Sequence, residues 1–224
     1  MELRETSGLA GNDLKDEGDR RAHDCIVELL AQAYPDDPVL SEEGRDDTVR
    51  LSHSRVWIVD PLDGTREYSE GRSDWAVHVA LVQSGVAAVG AVALPALGTV
   101  LATDPAPAVP APHPGPPRMV VSRTRPPDIT DALRDALGAT LVPMGSAGAK
   151  TMAVVRGAAD VYAHAGGQYE WDSAAPVAVA AAAGLHVSRL DGSPLRYNQP
   201  DVWLPDLLVC RPELAETVIR VTTA

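Results

Sequence analysis

The sequence predicts a layered α/β sandwich made of two halves with a cleft between them. Three observations predict it. After residue 117, strand-like and helix-like segments alternate, which implies helices layered on a sheet. Before residue 104, one amphipathic helix precedes several β-rich runs. Between the two, residues 104–117 hold 7 of the 19 prolines, which excludes a helix or a central strand and implies a stiff surface connection. The 224 residues therefore divide into an α+β half (1–103), a Pro-rich connection (104–117) and an α/β half (118–224). Clefts at such junctions are where small ligands bind.

Each element has its own signal. Ala22, Cys25, Ile26, Leu29, Leu30 and Ala33 form one apolar stripe at helical spacing, and the turn at Pro35 to Pro38 stops it. Residues 39–41 read as a short strand running into Glu42-Glu43, and 56–59 as a β-rich run closed by Asp60. Residues 74–83 and 86–94 read as strands paired through Ser84-Gly85, with 98–103 as a third. In the second half, strands at 119–122, 140–144, 160–164 and 186–190 alternate with helices at 129–137, 149–156, 173–183 and 212–221.

Composition excludes several function classes. A net charge of −12 argues against a basic nucleic-acid footprint. Two cysteines, Cys25 and Cys210, cannot build a disulfide scaffold or a Cys-based zinc module, and read as buried thiols in a reducing cytoplasm. No apolar run is long enough to span a membrane, and the first residues carry no secretory pattern. The first 74 residues hold 19 of the 31 acids. An acidic half of this kind fits a solvated face, a divalent-cation site, or both.

The segment with the most chemistry in it is WIVDPLDGTREY, Trp57 to Tyr68. Asp60 closes an apolar strand, and Asp63 follows three residues later. That spacing can point two carboxylates into one site, where they repel unless a cation lies between them. Mg²⁺ takes oxygen ligands of this type. Gly64-Thr65 would open a short helix whose amides can hold a phosphate. Taken alone, an ordinary Asp-Gly turn accounts for the segment equally well. Glu42-Glu43, Asp19 and Asp172 add acids at element ends, although helix capping alone explains Asp19 and Asp172.

Together, Asp19, Glu42-Glu43, Asp60-Pro61-Leu62-Asp63-Gly64-Thr65 and Trp171-Asp172 resemble the ordered signature of the inositol monophosphatase superfamily, the lithium-sensitive, Mg²⁺-dependent phosphatases. The segments GSAGAK, HAGGQYEWDSAAP and LDGSPLRYN are similar to its CysQ-type branch, the 3′(2′),5′-bisphosphate nucleotidases. The resemblance implies an αβαβα sandwich with the active site between the halves, hydrolysing 3′-phosphoadenosine 5′-phosphate to AMP. It implies two to three Mg²⁺ ions, inhibition by Li⁺, and a monomer or homodimer. Glu42, Asp60 and the Leu62 carbonyl would hold a first ion, Asp60, Asp63 and Asp172 a second, and Glu42 with water a third. Asp19 and Thr65 would orient and deprotonate the attacking water, and the Gly64 and Thr65 amides would hold the phosphate. Gly145, Ser146 and Ala147 would line the sugar side.

Ala165 stands where inositol-specific relatives carry a Glu, which argues against an inositol phosphate. Relatives have a longer first helix, so the stripe through Ile26 and Leu30 is expected to lack a cover, with lower stability or a dimer as the consequence. Lys150, Arg189 and Arg196 are candidate anchors for a second phosphate; surface charge explains Arg189 better. Tyr169 or Tyr197 could stack on adenine, although ordinary packing explains each as well. Among the six histidines, His164 is placed nearest the site and the others read as structural. A broader sugar- or inositol-phosphate phosphatase is the second expectation, and a catalytically weak nucleotide-binding regulator the third.

Overall fold

The computed structural model of the chain describes residues 2–223. The first half opens with a short helix α1 (Glu2–Thr6) and a long α2 (Gly11–Ala33). A five-stranded sheet follows: β1 (Val39–Ser41), β2 (Arg55–Asp63), β3 (Ala76–Gln83), β4 (Val86–Leu94) and β5 (Thr99–Ala102), with α3 (Thr65–Ser69) between β2 and β3. The strands lie in chain order; β1 is parallel to β2 and the other pairings are antiparallel.

The second half holds β6 (Arg118–Ser122), α4 (Thr130–Leu137), β7 (Thr140–Met144), α5 (Ala147–Val155) and β8 (Val161–Tyr169). It continues with α6 (Glu170–Ala182), β9 (His186–Ser188), β10 (Trp203–Cys210) and α7 (Ala215–Thr222). The sheet order is β7-β6-β8-β10-β9, parallel from β7 to β8 and antiparallel beyond.

The helices make this a five-layer αβαβα sandwich. α2 packs on the outer face of the first sheet, α5 and α6 lie between the sheets, and α4 and α7 pack together outside the second. The middle helices are apolar nearly all round, as a helix between two sheets must be: Met152 to Val155 and Ala174 to Ala180 are all buried. Small residues let α6 approach closely, and a Cβ on Gly90 of β4 would stand 2.8 Å from the Ala175 carbonyl. The central core joins Val56, Ile58 and Val92 of one sheet to Tyr162, Leu207 and Val209 of the other through Met152 and Val179.

Several sequence expectations are corrected. α2 begins at Gly11, well before the apolar stripe, so Asp19 lies inside the helix and not ahead of it. Ile26 and Leu30 are covered, packing on Trp57, Val59 and Leu81; Cys25, Leu29 and Ala33 are the exposed members of the stripe. β10 went unpredicted because Pro205 and Asp206 interrupt its apolar run. Pro205 sits at the register shift between Leu204 and Asp206, where its missing N–H costs no ladder bond. β8 runs on to Tyr169, and residues 212–214 form a 3₁₀ turn before α7.

The connection is irregular chain, mostly exposed over residues 104–116. Arg211 donates to the Pro110 carbonyl at 2.8 Å and so pins it to the second half. Among the described residues no helix is long and apolar enough to cross a membrane.

Candidate active site

The site forms where β2 ends, against the starts of α5 and α6. Asp60 and Asp63 are both buried. Leu62 N–H donates to Asp60 Oδ1 at 3.1 Å, and the strand register shifts between the two acids. Gly64 then turns the chain at φ 89°, where L side chains are disfavoured, and a Cβ there would meet Ser146 at 3.0 Å. The Leu62 side chain packs away from the acids, with Leu14, Tyr68 and Trp75.

Asp63 is held from the second half. Ser146 Oγ and Gly148 N–H donate to its Oδ2, each at 2.6 Å, and Ala147 N–H to Oδ1 at 3.2 Å. Burial alone would raise its pKa; the adjacent His78 ring and hydrogen bonds from Ser146 and Gly148 outweigh burial and hold the carboxyl below its ordinary range. The segment expected to line the sugar thus spends its donors on protein acids: Gly145 N–H donates to Asp74 at 2.6 Å.

The other acids are pushed the opposite way. Burial, then Asp63, Glu42 and Asp172, raise Asp60 well above its ordinary value. Asp172, on the first turn of α6, accepts from Tyr169 N–H at 2.6 Å and is raised to about 6 by burial and then by Asp63. Glu42 lies at the rim, open to solvent on one side. Partial desolvation by the walls, then Asp172, Asp63 and Glu43, raise it to about 7. Asp19 is raised to about 8 by burial and then by Glu43 and Glu42. Its Oδ1 is buried without a partner, and among the described residues no hydrogen bond joins Asp19 to Thr65. Glu42, Asp60, Asp63 and Asp172 all offer oxygen, and Asp63 raises the other three, so together they are a candidate donor set for a hard divalent cation.

His78 is the residue that sequence reasoning missed. It is fully buried on β3, its Nδ1 donating to the Trp171 carbonyl at 3.0 Å, with Nε2 3.2 Å from Asp63 Oδ2. With Asp60 and Asp63 it forms a group close enough to share a cation. The signal was present: positions 76, 78, 80 and 82 share one strand face and all are buried. A histidine among them needs a partner.

A cavity of about 300 Å³ opens beside the acids, walled by Gly64, Thr65, Gly145, Ser146, Arg66 and Lys150. It adjoins a second of about 630 Å³ that shares Ser122, Arg125 and Lys150 and reaches His164 and Ala165. Lys150 is only 7% exposed. Among the described residues no carboxylate pairs with its Nζ, which lies 5.1 Å above the Tyr162 ring, and burial lowers its pKa. Arg123 crosses between the halves to Glu67 at 2.7 Å and Glu70 at 2.6 Å.

The remaining candidates lie elsewhere. Arg196 is exposed next to the Gly85 turn, at the opposite end of β2 and β3 from Asp60. Arg189 is paired with Asp206 at 2.7 Å. Tyr197 is buried and bonded to Ser173, so it cannot stack on a ligand. Tyr169 is exposed and stacks on Trp171.

The chain matches the inositol monophosphatase family over residues 2–106 and 117–223. It is 54% identical to a 3′-phosphoadenosine 5′-phosphate phosphatase of Mycobacterium bovis, covering 92% of this chain and 80% of that protein. It is 32% identical to the 3′(2′),5′-bisphosphate nucleotidase CysQ of Escherichia coli, covering 83% and 80%. Its fold is similar to the crystal structure of CysQ from Bacteroides thetaiotaomicron, with a TM-score of 0.75 at 31% identity, covering 86% and 83%.

Proposed function

The chain belongs to the inositol monophosphatase family, and from that premise we infer that it hydrolyses the 3′-phosphate of 3′-phosphoadenosine 5′-phosphate, giving AMP and phosphate. One observation carries the substrate choice: the two adjoining cavities beside Gly64 and Ser146 meet at Lys150, which is buried and, among the described residues, has no carboxylate partner. Lys15 and Lys150 are the only lysines in the chain, so a buried one is not a product of composition. A buried ammonium without a counter-ion is costly, and an anionic ligand group offsets that cost. Arg66 and Arg125 line the same pair of cavities. A substrate with a second phosphate fits the pair; inositol 1-phosphate does not use it.

Glu42, Asp60, Asp63 and Asp172 are the residues we assign to Mg²⁺, two or three ions in all, with Li⁺ as an inhibitor. Bound there, Mg²⁺ would neutralise the phosphate and lower the pKa of water. The chain's own residues do the rest. Gly64 and Thr65 wall the phosphate end of the cavity. Ser146 and the Gly148 amide keep Asp63 ionised and fixed. Asp19 is the proton acceptor we assign to the attacking water, with Thr65 orienting that water. Its raised pKa comes partly from Glu42 and Glu43, so neutralising the cluster would lower that pKa and leave Asp19 ionised and free to accept a proton. The two free thiols fit a reducing cytoplasm.

Phosphate release with Mg²⁺ on 3′-phosphoadenosine 5′-phosphate, inositol 1-phosphate and fructose 1,6-bisphosphate tests this. The nucleotide should lead in kcat/KM. Lys150→Met should lower that value about 10- to 100-fold, as loss of a charge-assisted bond does, and leave inositol 1-phosphate turnover nearly unchanged. A lead for inositol 1-phosphate would overturn the nucleotide assignment.

A further inference from the structure

Arg50 is a large cation with 1% of its surface exposed, and none of its bonds goes to the acidic cluster. It lies on the 3₁₀ turn Thr48–Ser52, after the loop that carries Glu42. Its guanidinium forks onto Asp46 at 2.7 and 2.9 Å. Its remaining nitrogen crosses to the second half, donating to Asn198 Oδ1 at 2.8 Å and the Gln199 carbonyl at 3.1 Å. Asn198 Nδ2 returns a bond to the Arg50 carbonyl at 3.1 Å. The amides of Asn198 and Gln199 then donate to the Glu170 carboxylate at 2.7 and 2.8 Å.

This chain of bonds has two ends. One is Asp46, four residues after Glu42. The other is Glu170, fully buried and two residues before Asp172. Glu42 and Asp172 come from different halves and repel across the cluster. The loop bearing Glu42 is largely exposed over residues 42–49. Without a tether, the repulsion would be relieved by that loop swinging outward.

We propose that the Arg50–Asn198 pair is a positioning clasp that holds Glu42 at the cluster before any cation arrives, and thereby sets the affinity for Mg²⁺. It rests on the assignment of Glu42 and Asp172 as cation ligands. A preformed site does not spend binding free energy on closing the loop.

The test is calorimetric titration of Mg²⁺ into the cation-stripped full chain. Asn198→Gly is the main variant: Asn198 has φ 58°, which glycine adopts freely, so only the side-chain bonds are lost. Arg50→Lys keeps the charge and removes the fork. Asn198→Gly should weaken Mg²⁺ binding about tenfold, with unchanged circular dichroism. The Mg²⁺ concentration for half-maximal activity should rise by the same factor, while kcat at saturating Mg²⁺ stays within about twofold. If Arg50→Lys does not fold, Asn198→Gly decides alone. A folded Asn198→Gly protein with wild-type Mg²⁺ affinity would overturn the clasp while leaving the cluster in place. No Mg²⁺ binding by the wild-type chain would overturn the cluster assignment, and the clasp with it.

Discussion

The four raised acids make pH a direct probe of the site at the scale of single residues. Glu42, Asp172 and Asp19 are raised to about 7, 6 and 8, whereas their unfolded values lie near 4. The folded chain therefore keeps protons that the unfolded chain has released. Stability from these groups is complete below about pH 4 and is lost as pH rises through about 6 to 8. Asp63, held below its ordinary range, acts in the opposite sense only in the acid region. In chelator, Tm should fall between pH 5.5 and 8.5, and saturating Mg²⁺ should reverse the fall; a Tm in chelator that climbs over that range would refute the cluster's electrostatics. Legibility at this scale was uneven. Asp60, Asp63, Gly64 and Thr65 are neighbours in sequence, so their spacing offered a candidate site, although an Asp-Gly turn explained it equally well until the other acids were added. Arg50 and Asn198 are 148 positions apart, and neither has a local pattern.

At the scale of elements, hydrophobic period carried most of the fold. It located β3 and β4 because part of the alternation survives, and β2 because its apolar run, buried on both faces, is continuous from Val56 to Val59. It failed at β10, where a proline occupies a bulge, and at the start of α2, whose first two turns are polar and mostly solvated. Close packing of small residues was also unreadable, since alanine and glycine are uninformative until two elements meet. The contact of α6 with β4 offers a measurement. Gly90→Ala would place a Cβ 2.8 Å from the Ala175 carbonyl and 2.9 Å from Ala178. Backbone cannot give way as a side chain can, so thermal unfolding should show a loss of about 1–3 kcal/mol. An unchanged Tm would mean that α6 moves without cost.

At the scale of the whole molecule, the two halves visible in the sequence are not independent. Each sheet is built within one half, but the helices between the sheets both come from the second. Without α5 and α6, the first sheet would expose Val56, Ile58 and Val92. The acids we assign to Mg²⁺ are divided in the same way, with Glu42, Asp60 and Asp63 in the first half and Asp172 in the second. Fragments 1–110 and 111–224 expressed separately should therefore be insoluble or unfolded, and co-expressed they should recover Mg²⁺-dependent phosphate release. A soluble, cooperatively melting fragment 1–110 would contradict the shared core.

The surface connection between the sheets has a consequence for survival of the chain. Long exposed segments are usually where proteases nick a folded protein. Here the prolines remove backbone N–H groups and fix the chain in forms that fit protease clefts poorly, and Arg211 ties the segment down at Pro110. From residue 73 to residue 117 there is neither Lys nor Arg. Trypsin-like enzymes find nothing to cut across the seam, so the two sheets stay on one unbroken chain.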